Sequence, residues 1–205
     1  MKVIVILGLP LSGKTTHAKT LVKEANYNLV ETGTFVYQEV EDRGLEATPE
    51  NVVKVAGECK AKSDSYFTEK ALEYAFANFN SQSVFFLSGV KAISEVDYLN
   101  EKLGADNVFL VSFHASVKTR HSRLLNADRK AESKAAGAKR VEDLAMAEDI
   151  RRFNLRDTKE LSYGLGKLIG LADFVVNTEN IRWPHNNFEH TLSDFKEILS
   201  AIANS

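Results

Sequence analysis

One cysteine in 205 residues, Cys59, leaves no partner for an internal disulfide and too few thiolates for a cysteine-rich zinc site. With no base evident near it, the thiol is expected as a small buried hydrophobe rather than a nucleophile. Long apolar runs are missing as well: no stretch approaches the roughly 18 residues that a membrane span requires. Charge of one sign is also lacking. Lys plus Arg number 26 and Asp plus Glu 28, a net charge of -2. Such a chain has no overall field to hold it on nucleic acid or on an anionic membrane, so any contact of that kind must be local. No internal repeat and no low-complexity linker divides the sequence.

What is present is an ordinary globular composition, 44% hydrophobic and 26% charged, at a length that suits one domain over residues 1–205. The opening run Val3-Ile4-Val5-Ile6-Leu7 is β-branched, short and closed by Gly8. With no small-residue cleavage pattern after it, it is expected as a buried strand rather than a signal peptide, which implies a cytoplasmic protein. Further strands are expected over 28–31, 83–89, 108–113 and 174–177. Helices are expected over 15–25, 34–43, 49–62, 64–79, 93–103 and 192–203. At 49–62, Thr48 can cap and Pro49 occupies the first helical position. Strands alternating with helices predict an α/β three-layer sandwich around a mostly parallel sheet. Residues 126–156, rich in Ala, Lys, Arg, Asp and Glu, depart from this rhythm and suggest a helical hairpin off the core or a solvated helix pair.

Gly8-Leu9-Pro10-Leu11-Ser12-Gly13-Lys14-Thr15 fits G-x-x-x-x-G-K-[ST]. The two glycines let the loop wrap so that backbone N–H groups turn toward a phosphate. Lys14 reaches the β- and γ-phosphates as a flexible point charge, and the Thr15 hydroxyl can ligate a largely hydrated Mg²⁺. The helix that begins there adds a positive dipole end and unpaired N–H donors, with Thr16 in its first turn. By composition alone the pattern should occur in about one chain of this length per hundred. A buried strand before it and a helix after it supply the context the motif demands. A GTPase would carry Asn-Lys-x-Asp, which Asn177-Thr-Glu-Asn180 does not provide.

Beyond the phosphate loop, the chain carries Thr32-Gly-Thr-Phe-Val-Tyr-Gln-Glu39, Arg43-Gly-Leu-Glu-Ala-Thr48 and Phe113-His-Ala-Ser-Val-Lys-Thr-Arg120 with Arg123-Leu. It continues with Arg156-Asp-Thr-Lys-Glu-Leu-Ser-Tyr-Gly164 and Leu171-Ala-Asp-Phe-Val-Val-Asn177. With the phosphate loop, these segments resemble the archaeal adenylate-kinase-like, dephospho-CoA-kinase-related P-loop proteins from residue 1 to about 180. The resemblance implies a parallel five-stranded P-loop NTPase core of the nucleotide-kinase type. It implies ATP and Mg²⁺ as donor and cofactor, a helical acceptor-binding segment over 34–80 and a lid over 126–156. The acceptor it implies is a small nucleotide-like molecule, a nucleoside monophosphate or dephospho-CoA. By the same resemblance Arg120 and Arg129 border the lid and Arg156 enters from its far side, all three as catalytic candidates beside Lys14.

Three positions depart from the family pattern. Ser88-Gly89 stands where an Asp-Gly pair is usual, so the second metal-side candidate beside Thr15 is an uncharged Ser88. Tyr37 replaces an arginine that would clamp a phosphate bidentately. Leu11 replaces a glycine of the loop. Either the acceptor differs from the usual one, or the chain binds nucleotide for a regulatory or partner-binding purpose with weak or lost turnover.

Arg120 and Arg123 stand i, i+3 on one helix face and can point the same way. Asp157 and Glu160 are expected as partners of the lid arginines or of cations on their own helix. Glu95 and Asp97 are candidates for the missing metal-side carboxylate, or acids of an exposed helix start. His114 closes a strand at the expected crevice. His121, His185 and His190, with Arg151-Arg152, are expected at the surface, and Trp183-Pro184 is expected to pin the closing helix. The basic run from Arg120 through Lys130, Lys134, Lys139 and Arg140 is either a solvated face or a funnel for polyphosphates; its lack of interleaved aromatics argues against a nucleic-acid surface.

Overall fold

A computed structural model describes residues 1–25, 27–80, 83–124, 142–179 and 187–204. The expected Arg129, Lys130, Lys134, Lys139 and Arg140, most of the lid, Trp183-Pro184 and His185 lie outside the described residues. Five strands form: β1 (Lys2–Leu7), β2 (Asn28–Glu31), β3 (Val84–Ser88), β4 (Val108–His114) and β5 (Phe174–Asn177). They join one sheet in the order β2-β3-β1-β4-β5, every neighbouring pair parallel.

The continuous apolar run of β1 is explained by coverage on both faces, which is what a central parallel strand requires. Val3, Val5 and Leu7 point to one side, where they pack with Leu72 and Ala75 of α4 (Tyr66–Asn78), Leu99 of α5 (Ile93–Leu103), and Phe85 and Leu87. Ile4 and Ile6 point to the other, against Leu21 of α1 (Lys14–Ala25) and Leu192, Phe195 and Leu199 of the last helix (Phe188–Ala203). The three layers follow from this alternation. A third, smaller core of Val40, Val55, Cys59 and Phe67 joins α2 (Thr32–Asp42), α3 (Pro49–Lys62) and α4. Cys59 is fully buried there, as expected of a small hydrophobe, and Arg43 Nη2 donates to its Sγ at 3.2 Å.

Local chemistry sets most element ends. Thr48 Oγ1 accepts from Asn51 N at 3.2 Å and Pro49 opens α3, the anticipated cap. Glu31 passes directly into α2, so that helix starts at Thr32 rather than at 34. The last helix starts at Phe188 rather than 192 because Asn187 caps it, its Oδ1 accepting from His190 N at 2.8 Å. Tyr74 of α4 turns outward and is 47% exposed. α6 (Val117–Leu124) carries Arg120 and Arg123. α7 (Glu142–Ser162) runs without a break past the expected lid boundary at 156. A short α8 (Leu165–Gly170) then anchors its end under the sheet through Leu165 and Leu168; its six residues are too few for a periodic signal. The last helix is α9.

Candidate functional site

The carboxyl ends of β1, β3 and β4 converge where the first crossover leaves toward β2 and the third toward β4, the place where ligands bind in open α/β sheets. The phosphate loop fills this point. At Gly8, φ is +140°, and a Cβ would lie 2.5 Å from both Phe113 O and Ser12 Oγ, so only glycine fits. Leu11 adopts φ +65°, a left-handed conformation that is strained for leucine.

Three successive loop carbonyls are held from outside. Arg120 Nη1 donates to Pro10 O at 3.1 Å, Arg123 Nη1 donates to Leu11 O at 2.9 Å, and Thr178 Oγ1 lies 2.7 Å from Ser12 O. In a trans peptide the next N–H points opposite its carbonyl. The N–H groups of Leu11 and Gly13 are thereby turned away from these anchors, while Ser12 N–H donates to Leu9 O at 3.1 Å. On the helix side His17, buried in α1, bonds Gly13 O at 2.9 Å and Thr191 Oγ1 of α9 at 2.7 Å. Burial holds its imidazole below the usual pKa.

A cavity of about 370 Å³ opens over the loop, lined by Gly8, Pro10, Lys14, Thr15, Ser88 and Arg156 among others. Lys14 Nζ lies 3.4 Å from Leu9 O. Desolvation pulls its pKa down from 10.5 to about 8; Arg156, Lys91 and Arg120 push the same way and Glu160 opposes them. Thr15, Ser88 and Glu31, whose side chains carry oxygen, line the same space, and the parallel register sets Glu31 directly beside Ser88. These hard oxygen donors suit a hydrated Mg²⁺. No cluster of three or more His, Cys, Asp or Glu exists among the described residues to hold a metal alone. A metal here would therefore arrive with phosphate oxygens and water, with Thr15, Ser88 and Glu31 as the oxygen-bearing residues around it.

The structure separates the arginines. Arg156 has no hydrogen-bond or ion-pair partner among the described residues and borders both this cavity and a second one of about 630 Å³ over α2, α3 and α4. Arg120 is 1% exposed and makes four hydrogen bonds: to Ala115 O, to Pro10 O, and to both oxygens of Asp157 at 2.9 and 2.6 Å. Its guanidinium carbon also lies 5.1 Å from the Phe153 ring centroid. Four of its five N–H donors thus serve the protein, and it borders neither cavity. Arg123 is engaged likewise with Leu11 O and with Thr178.

Other candidates resolve on similar grounds. Glu95 is not at an exposed helix start: it is 2% exposed, and its carboxylate accepts from Lys91 N, Ala92 N and Thr68 Oγ1 at 2.8, 3.0 and 2.8 Å. It caps α5 with both carboxylate oxygens engaged and borders only the second cavity, while Asp97 is exposed on the same helix. His114 is exposed and borders neither cavity; His121 packs on Phe153 and bonds Asn154 Oδ1. Asp157 pairs across helices rather than within its own, and Glu160 pairs with Lys91 at 2.9 Å. Tyr37 borders both cavities. Glu31 and Lys91 also border the site and were not foreseen; a lone acid ending a four-residue strand and a lone lysine after Gly89-Val90 carry no spacing signal.

Residues 7–142 match a family model described as an AAA domain. The chain is 30% identical over 203 residues to a UPF0200 protein of Methanococcus maripaludis strain C7, covering 98% of this chain and 100% of the relative. It is 33% identical to one of Methanococcus vannielii, covering 98% and 97%, and 31% identical to one of Thermococcus kodakarensis, covering 98% and 100%. Among solved structures, shikimate kinase from Bacteroides thetaiotaomicron superposes with a TM-score of 0.53 over 97% of this chain and 98% of that chain, at 16% identity, a likeness of fold.

Proposed function

From its membership of the UPF0200 family of archaeal P-loop proteins, with a kinase-like P-loop fold, we propose that this chain is an ATP-dependent phosphotransferase acting on a small nucleotide-like acceptor. One observation carries the reading: Arg156, an arginine without a partner among the described residues, stands where the cavity over the phosphate loop meets a second cavity over the helices that follow β2. Phosphoryl transfer asks the protein chiefly to position two substrates and to stabilise charge on the equatorial oxygens between them. A guanidinium shared by two adjoining cavities meets that demand.

In this reading the loop residues 8–16 bind the triphosphate, with Lys14 on its outer phosphates. Thr15 and Ser88 hold Mg²⁺, which supplies charge neutralisation on the phosphate oxygens. Arg156 contacts the phosphoryl group in transit, and Arg129 completes the set from the lid. Arg120 acts as a positioning residue: with Asp157 it fixes α7 to the loop, and this sets where the adjacent Arg156 stands. Adenylate-kinase-like and dephospho-CoA-kinase-like activities are the two acceptor classes to test. Purified protein with Mg²⁺-ATP is expected to phosphorylate at least one of AMP, CMP, UMP, dTMP or dephospho-CoA, with turnover abolished in Lys14→Ala and lowered at least 100-fold in Arg156→Ala, as loss of a transition-state charge contact implies. No turnover with any of the five overturns the reading.

The neutral Ser88 favours a second reading, a nucleotide-binding regulatory protein without turnover. Ser88→Asp separates the two. A weakened kinase gains rate in Mg²⁺ from the added carboxylate, whereas a protein that only binds nucleotide stays silent.

A further inference from the structure

The second cavity shares Gly33, Tyr37, Gly89, Lys91, Arg156 and Glu160 with the cavity over the phosphate loop. The rest of its wall mixes two kinds of chemistry. Val36, Val52, Ala56 and Phe67 bring the apolar face of the small α2–α4 core into it. Lys60 of α3 and Lys159 of α7 line it without reaching the first cavity.

The charges on this wall do not balance. Its carboxylates are Glu95, whose oxygens already serve Lys91 N, Ala92 N and Thr68, and Glu160, which is ion-paired with Lys91 at 2.9 Å. Lys60, Arg156 and Lys159 therefore have no carboxylate partner among the described residues. Here Lys60 is half-buried, and although Arg156 and Lys159 are exposed, all three border one concave space with an apolar wall, where their fields add on whatever enters. Lys60 is also held in place, since its Nζ lies 5.7 Å from the Tyr163 ring centroid while Lys91 Nζ lies 5.4 Å from the same ring. Tyr163 thus fixes two ammonium groups, one at the junction of the cavities and one beyond it.

From this arrangement we infer that the phosphoryl acceptor is an organic anion with a flat or apolar body, bearing an anionic group remote from the end that receives the phosphoryl group, and that Lys60 and Lys159 hold that group beside Tyr163. The receiving end lies at Arg156 and Lys91, where the cavities join. The body lies against Val36, Val52, Ala56 and Phe67. Tyr37 offers a ring to that body in place of a bidentate clamp on a phosphate, so affinity comes from the body and its remote charge. The inference rests on the phosphotransferase reading, since it takes the second cavity as the acceptor's.

The test uses the whole chain with the phosphate loop saturated by a non-hydrolysable ATP analogue and Mg²⁺. The probe is 8-anilinonaphthalene-1-sulfonate, an aromatic anion, and its neutral counterpart is N-phenyl-1-naphthylamine. Fluorescence titration is expected to give saturable binding of the sulfonate, weakened at least fivefold in Lys60→Ala/Lys159→Ala, while the neutral probe changes by less than twofold. Lys54→Ala/Lys62→Ala, exposed lysines of the same helix outside the cavity, is expected to change neither. Absence of sulfonate binding, equal losses for the two probes, or an unchanged sulfonate affinity in the Lys60/Lys159 variant overturns the inference. Failure of the ATP analogue to bind, measured by calorimetric titration before the probe is added, overturns the parent reading instead, so the two failures are distinguishable.

Discussion

Lys14 sits in a place that disfavours its own charge. Desolvation, then Arg156, Lys91 and Arg120, bring its pKa to about 8 from 10.5, with Glu160 opposing. A polyanion reverses that balance, because it favours the ammonium over the amine. Nucleotide binding between about pH 8 and 9 is therefore expected to take up protons, measured as a dependence of calorimetric heat on the ionisation enthalpy of the buffer; Lys14→Met is expected to abolish the uptake. For stability the sign is fixed by the unfolded chain, which binds more protons at this group than the folded one does from about pH 8 to 10.5. The contribution of Lys14 to stability thus rises with pH across that window. Leu11 is the second residue with a local conflict. Its left-handed φ of +65° costs about 1–2 kcal/mol, partly offset in a glycine variant by about 0.5–1 kcal/mol of extra chain entropy. Leu11→Gly is expected to raise the free energy of urea unfolding by about 0.5 kcal/mol. A loss of stability would mean that leucine's side chain contributes more than its backbone costs.

At the scale of elements, α7 presents two working faces. Phe153 and Asp157, i and i+4, meet Arg120 and through it the phosphate loop. Arg156, Lys159 and Glu160 form the neighbouring stripe that lines the cavities, with Tyr163 just past the helix end beside them. The ion pair is buried, so removing one partner strands a charge. Asp157→Ala is expected to cost about 3 kcal/mol in urea unfolding, whereas Arg120→Met/Asp157→Leu recovers most of it. A cost below about 0.5 kcal/mol for Asp157→Ala would show that the pair does not hold the helix to the loop.

The same elements show what a sequence can and cannot reveal. β1 was legible because a strand covered on both faces has no polar alternation, and α3 because Thr48-Pro49 is a cap written in adjacent residues. Arg120 and Arg123 were visible as a facing pair on one helix. Their target was not: Asp157 lies 37 positions away, and the loop carbonyls they hold belong to every residue type alike. Glu95 misled for a related reason, since an acid three residues into a helix looks the same whether its carboxylate meets solvent or three buried donors. α8 escaped because six residues make less than two turns, and its burial depends on the sheet beneath it.

At the scale of the whole molecule, the strand order β2-β3-β1-β4-β5 brings the end of the first strand to the middle of the sheet, and residues of α2, α3 and α7 line the cavities beside it. Every functional assignment depends on a polyphosphate occupying that central loop. The most direct measurement is a calorimetric titration of the intact chain with a non-hydrolysable ATP analogue and Mg²⁺, alongside Lys14→Ala. One site of micromolar affinity, weakened at least 30-fold by the substitution, is the expected result. An affinity that Lys14→Ala leaves unchanged would place the nucleotide elsewhere and contradict the account.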